Sequence, residues 1–112
     1  FCEGGIGWIP WTLQDADYVY KVYEPDMKPK LEHLPSYYFR RQCYGCFMGD
    51  EVGLKSIKEA GLEDNILWSC DYPHGESVFG ESRSEMRKIF DILGDAGGKK
   101  AIGGNAARLW NI

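Results

Sequence analysis

The densest chemistry in the chain is the run Asp71-Tyr72-Pro73-His74. It sets a carboxylate, a phenol and an imidazole directly after the apolar segment Ile66-Leu67-Trp68-Ser69-Cys70. A carboxylate at such a place can ligate zinc, manganese or iron. It can also serve as general base toward a metal-activated water, or it can cap the following segment through loop amides. His74 can face either a pocket or solvent, whereas His33 lies in a polar stretch and reads as a surface residue. These two histidines make neither an HxH nor an HExxH ligand set. No serine stands in a GxSxG setting. The glycine cluster Gly4-Gly5-Ile6-Gly7 lacks the GxGxxG pattern of dinucleotide sites.

Cysteine chemistry is the next candidate. Cys43 and Cys46 have CxxC spacing, but Cys2 and Cys70 do not form the second pair of a structural zinc site. The segment Gln42–Met48 reads as a strand, which turns Cys43 and Cys46 to opposite faces. A redox CxxC usually opens a helix, whose N-terminus stabilises the thiolate. Buried structural thiols are therefore the first reading, with a redox pair or a metal site as alternatives. A weak case for disulfides favours a reducing, cytoplasmic setting.

Strands and helices must position these groups. Ile66–Cys70 suits a strand buried on both faces of a parallel sheet. Residues 43–48 form another strand. Asp50 can cap a helix carrying Val52, Leu54, Ile57 and Ala60, which Gly61 ends. Upstream, Phe1–Trp11 is an apolar stretch broken by glycines. Thr12 and Asp15 fit a capping box for a helix over about 12–23, ended by Pro25 and Pro29. Residues 24–35 form a polar excursion, and Pro35 opens a short helix through Tyr38, Phe39 and Arg41. The aromatic run Tyr37-Tyr38-Phe39 is either packing under a loop or a pocket wall. Ser82 and Glu85 fit a second capping box, with Met86, Ile89, Phe90 and Leu93 as the stripe and Gly94 as the stop. Gly97 and Gly98 read as linker, Lys99–Ile102 as a helical turn, and Asn105 as the cap of a last helix. Strand and helix alternate, so the fold class is α/β with a parallel sheet of about three strands. In such folds the groups that do chemistry gather past the C-terminal ends of strands. Three places qualify: Glu3–Trp8, Gly49–Glu51 and Asp71–His74.

The 112 residues suffice for one domain spanning 1–112, and the formal net charge of -4 argues against a nucleic-acid partner. The apolar runs fall far short of the roughly 20 residues that span a bilayer, so no membrane partner is expected. No signal-peptide pattern opens the chain. It begins Phe1-Cys2-Glu3 rather than with Met, and this start reads as the end of a strand. Residues are therefore expected to be missing upstream.

Four stretches together carry a resemblance: Glu3-Gly4-Gly5-Ile6-Gly7-Trp8-Ile9-Pro10, Tyr38-Phe39-Arg40-Arg41-Gln42, Asp71-Tyr72-Pro73-His74 and Gly103-Gly104-Asn105-Ala106-Ala107-Arg108-Leu109. In this order they cover nearly the whole chain, which resembles the C-terminal part of the amidohydrolase-related family, also called amidohydrolase 2. That group includes metal-dependent hydrolases and non-oxidative decarboxylases similar to aminocarboxymuconate semialdehyde decarboxylase. The resemblance implies a TIM (β/α)8 barrel, with this chain as its last three strand units. It implies a divalent metal, zinc first, held by an early HxH pair, a histidine on a middle strand and the aspartate ending strand eight. Asp71 matches that aspartate, as metal ligand and acid–base group. His74 matches a residue at the pocket mouth, and Glu3, Trp8 and Tyr72 fall among the substrate-pocket positions. Some decarboxylase-like members carry histidine where Glu3 stands.

The HxH pair and the middle-strand histidine have no counterpart here. The expectation is thus a fragment of a metal-dependent hydrolase acting on a small molecule, inactive by itself and without bound metal. Alternatives are a decarboxylase fragment, a non-catalytic homo-oligomerising module, and a thiol redox protein. About three of eight barrel units would expose two sheet edges, which invite pairing with another copy or with the missing barrel half.

Overall fold

The computed structural model describes all 112 residues, Phe1–Ile112. Its helices are α1 (Trp8–Tyr23), α2 (Pro35–Gln42), α3 (Glu51–Glu59), α4 (Ser82–Lys99) and α5 (Asn105–Trp110). The strands are β1 (Gly45–Phe47) and β2 (Ile66–Trp68). They pair in parallel with Gly45 opposite Ile66, Cys46 opposite Leu67 and Phe47 opposite Trp68. Both strands are shorter than expected. The Cys43 amide instead closes α2 by donating to the Phe39 carbonyl, and Cys70 accepts bonds from the following loop.

A third chain segment extends the sheet. The Phe1 nitrogen donates to the Tyr44 carbonyl at 2.8 Å, and the Cys46 amide donates to the Phe1 carbonyl at 2.7 Å. These are the rungs of a parallel ladder with Phe1 opposite Gly45. The start of the chain therefore lies as a strand end, in the order Phe1–Cys2, β1, β2. This is a small α/β domain with an open sheet and flanking helices.

Side chains alternate across the sheet. A Cβ on Gly45 would run into Ile9 and Ile6, so Gly45 and its neighbour-but-one Phe47 face α1. On that side lies the core: Ile6, Ile9, Leu13, Phe39, Phe47, Leu54, Ile57, Leu62, Ile66, Ile89, Leu93 and Ala101. Cys46 and Leu67 point to the other face.

Several local expectations need correction. Helix α1 starts at Trp8, four residues before the proposed Thr12 cap. Pro10 fits because the first turn needs no N–H from it. The Asp50 carboxylate, from beyond β1, accepts from the Ile6 and Gly7 amides at 2.8 and 3.1 Å. No capping box forms at Ser82, which is already helical and donates to the Val78 and Phe79 carbonyls. Its supposed partner Glu85 is buried and pairs with Lys88 at 2.9 Å. Gly94 does break the helix, with φ 74° and ψ 177°. Gly97 and Gly98, however, are buried helical residues rather than linker. A Cβ on Gly97 would strike Leu93, and one on Gly98 would strike the Phe90 ring. A π-helical turn, Lys100–Gly104, then leads into α5. Asn105 does not cap α5. Its amide reaches back to the Glu63 and Ile66 carbonyls at 2.7 and 2.8 Å. Other expectations hold: Asp50 caps α3 through the Gly53 amide, Gly61 has φ 60°, and Pro35 opens α2.

Candidate functional site

The carboxyl ends of the strands define one rim of the molecule, and the proposed site residues are distributed along it. Glu3 follows the Phe1–Cys2 segment, Gly49 and Asp50 follow β1, and Asp71 follows β2. Two of these residues share an uncommon backbone. Glu3 has φ 60° and Asp71 φ 58°, in the left-handed region that residues with a Cβ seldom adopt. Such conformations persist only where surroundings impose them, and they cluster at functional sites.

Asp71 is held by its own loop. The Asp71 carbonyl accepts from the His74 amide at 2.8 Å, and the Cys70 carbonyl accepts from the Val78 amide and the Ser77 hydroxyl. This turn brings His74 Nδ1 to 3.2 Å from Asp71 Oδ2, and to 3.9 Å from Glu76 Oε1. The Asp71 side chain is 31% exposed and that of His74 62%.

The remaining proposed residues lie around this pair or apart from it. Tyr72 is exposed and leans on Phe79, with ring centroids 4.5 Å apart. Glu3 is exposed on the same rim. Trp8 is half-buried, donates from Nε1 to the Gly5 carbonyl at 3.1 Å, and packs edge-on to Phe1 and Phe39. Of the aromatic run, Phe39 enters the core, while Tyr37 and Tyr38 pack with His33 in the excursion. No three His, Cys, Asp or Glu side chains converge as a metal-binding group.

Two features of the rim escaped sequence reasoning. Asp50 accepts three amides, from Ile6, Gly7 and Gly53, and so joins the N-termini of α1 and α3. Only its role in α3 was visible in local sequence. The other is a thiol pair. Cys46 Sγ lies 3.5 Å from Cys2 Sγ, not beside its CxxC neighbour Cys43, which packs against the core. Burial, with the Cys2 contact adding to it, pushes the Cys46 thiol pKa upward.

The chain is similar to the crystal structure of 5-carboxyvanillate decarboxylase from Sphingomonas paucimobilis, with a TM-score of 0.73 and 29% sequence identity. The match covers 93% of this chain and 31% of that one. No family model and no curated protein matches the chain. No helix is long and apolar enough to cross a membrane. The findings thus support a relation to the amidohydrolase and decarboxylase group, on a chain that spans about a third of its structural neighbour's length.

Proposed function

We propose that this chain supplies the last βα units of a metal-dependent (β/α)8 barrel enzyme of the amidohydrolase-related group. In this reading Asp71 is both a ligand to a divalent cation, zinc first, and a proton-handling group. His74, Glu3, Tyr72 and Trp8 belong to the surrounding pocket, and the substrate is a small molecule. The observation that carries the proposal is the placement of Asp71: directly after the parallel strand β2, in left-handed backbone, with its carboxylate 3.2 Å from His74 Nδ1. That is where barrel enzymes put catalytic groups.

A bound cation would supply Lewis-acid polarisation of a substrate oxygen. The chain's own residues would do the rest. Asp71 handles the proton, and the His74 imidazole stands beside it at the mouth of the pocket. Hydrolysis is one chemistry this arrangement serves. Non-oxidative decarboxylation is the other, and the structural neighbour, itself a decarboxylase, favours it. A decarboxylase must deliver a proton to the carbon that loses carbon dioxide, a task suited to an acid–base pair on the rim.

The test uses the product of the complete gene. Metal content, carbon dioxide release from aromatic carboxylates and hydrolysis of small amides and lactones are measured for wild type and Asp71→Asn. The variant should lose bound metal and about 10²–10⁴-fold in kcat/KM. Undiminished metal content and turnover in Asp71→Asn would overturn the assignment.

A further inference from the structure

The sheet face that carries Cys46 holds a second piece of chemistry, apart from the Asp71 site. The hydrogen bonds that set Phe1 opposite Gly45 also set Cys2 opposite Cys46 on adjacent strands. Adjacent strands lie about 4.8 Å apart, and the Cα separations seen in disulfides run from about 4.4 to 6.8 Å. Here the two sulfurs are already in contact at 3.5 Å, and both are free thiols. Cys2 is exposed and Cys46 partly covered. An external reagent therefore reaches Cys2 first, and Cys46 stands behind it as the resolving thiol. The other two cysteines are placed differently. Cys43 packs against the core, and Cys70 lies beyond the end of β2.

From this geometry we infer that Cys2 and Cys46 form a cross-strand dithiol that small-molecule disulfides oxidise to an intramolecular disulfide. The Cys2 thiolate attacks one sulfur of the reagent, forms a mixed disulfide and expels one thiolate. The Cys46 thiolate then attacks the Cys2 sulfur and expels the second reagent thiolate. Each cysteine proton passes to solvent or to a leaving thiolate. The protein pair is oxidised by two electrons, and the reagent disulfide is reduced to two thiols. The new bond ties the Phe1–Glu3 segment to β1 covalently. It lies next to Glu3, so the oxidation state of the pair sets how firmly that rim residue is held.

The probe is 5,5′-dithiobis(2-nitrobenzoate), added at one equivalent to the full chain under native conditions. Two thionitrobenzoate ions should be released per chain. Intact mass should show loss of two hydrogens with no adduct, and peptide mapping after alkylation should join Cys2 to Cys46 with Cys43 and Cys70 alkylated. In Cys46→Ser the release should halve, leaving a stable adduct on Cys2. Wild-type mapping does not depend on that variant's folding. A persistent Cys2 adduct in the wild type, a disulfide to Cys43 or Cys70, or an interchain product as the main species would overturn the inference.

Discussion

At the scale of single residues, Asp50 carries the most connections for its size. Its carboxylate accepts amides from two helices that are far apart in sequence. The carboxylate caps α3 through Gly53 and holds the Ile6–Gly7 turn that leads into α1, so both helix starts depend on one side chain. Gly53 leaves the room this needs: a Cβ there would land on the Asp50 carboxylate. Gly5, at φ 62°, lets the chain bend around the same group. Asp50→Ala should destabilise the chain by about 2–4 kcal/mol, three charge-assisted acceptor bonds at about 1 kcal/mol each. Gly53→Ala should act in the same direction through the clash. The denaturant midpoint, read by far-ultraviolet circular dichroism, checks both. A loss under about 0.5 kcal/mol for Asp50→Ala, the range of ordinary surface changes, would refute the shared-cap account.

The elements divide their work between the two ends of the sheet. The rim at the strand C-termini carries Glu3, Asp50 and Asp71. The opposite end is bound by side chains reaching between consecutive units. The Asn65 amide donates to the Arg40 and Cys43 carbonyls at 2.9 Å, closing the end of α2. The Arg40 guanidinium donates to the Ala60 and Gly61 carbonyls after α3. Asn105, fully buried, joins the π-helical turn and α5 to β2 through Glu63 and Ile66. Asn105→Ala removes the partner of the buried Ile66 carbonyl and of the partly buried Glu63 carbonyl and should cost about 2–4 kcal/mol. On the proposed enzymatic reading, it should leave KM of the complete gene product unchanged, whereas Asp71→Asn should change turnover and metal content with little change in unfolding midpoint. A shift in KM on Asn105→Ala would blur this division.

Asp64 adds a pH-dependent tie at the same end. The hydrogen bonds from Lys100 and Arg108, at 2.9 and 3.0 Å, hold its carboxyl below the usual aspartate range. A lowered folded pKa stabilises the fold above the unfolded value of about 3.9 and is lost as pH falls through the folded one. The stability difference between wild type and Asp64→Asn should thus be constant from about pH 7 to 5 and vanish toward pH 2. Solvent screening of this exposed group keeps it near 0.5–1 kcal/mol. Thermal unfolding across that pH range measures it, and a difference that grows on acidification would contradict the assignment.

These elements also show what was legible in the sequence. Helix α3, with Asp50 before it and Gly61 after it, was readable because its signals are local. So were the opening of α2 at Pro35 and the place of Asp71 after an apolar strand. The start of α1 was not, because the turn that leads into it is held by a residue 43 positions downstream of Gly7. The Asn105 assignment failed similarly: asparagine ahead of a helix looks like a cap, but its partners here lie 39 and 42 residues back. CxxC spacing drew attention to Cys43, while the thiol that meets Cys46 is set by strand register. Whatever depends on register or on contacts between units is invisible to periodicity.

The whole molecule is more open than its length warrants. The radius of gyration is 15.6 Å, against about 13 Å for a compact domain of this length. The accessible surface is 7495 Å², against about 6,300 Å² expected for a monomer of 12.8 kDa. The excess coincides with sheet edges that have no partner strand. In β2, the Ser69 amide bonds to the Phe47 carbonyl, so Leu67 and Ser69 turn their backbone toward β1. Ile66, Trp68 and Cys70 turn theirs outward. Asn105 covers the Ile66 carbonyl and the following loop covers that of Cys70, which leaves Trp68 between them at an open edge. The buried Trp68 Nε1 and Asn105 Oδ1 beside β2 also lack hydrogen-bond partners. An uncovered edge is stabilised by pairing with a strand, from the rest of the proposed barrel or from a second copy. The isolated chain should therefore sediment at micromolar concentration as a dimer or larger species. Adding the complementary N-terminal barrel segment should convert it to a single defined complex with a higher unfolding midpoint. A monomer with a sharp cooperative transition, indifferent to that segment, would show that the open edges are tolerated and that the chain is a self-sufficient fold.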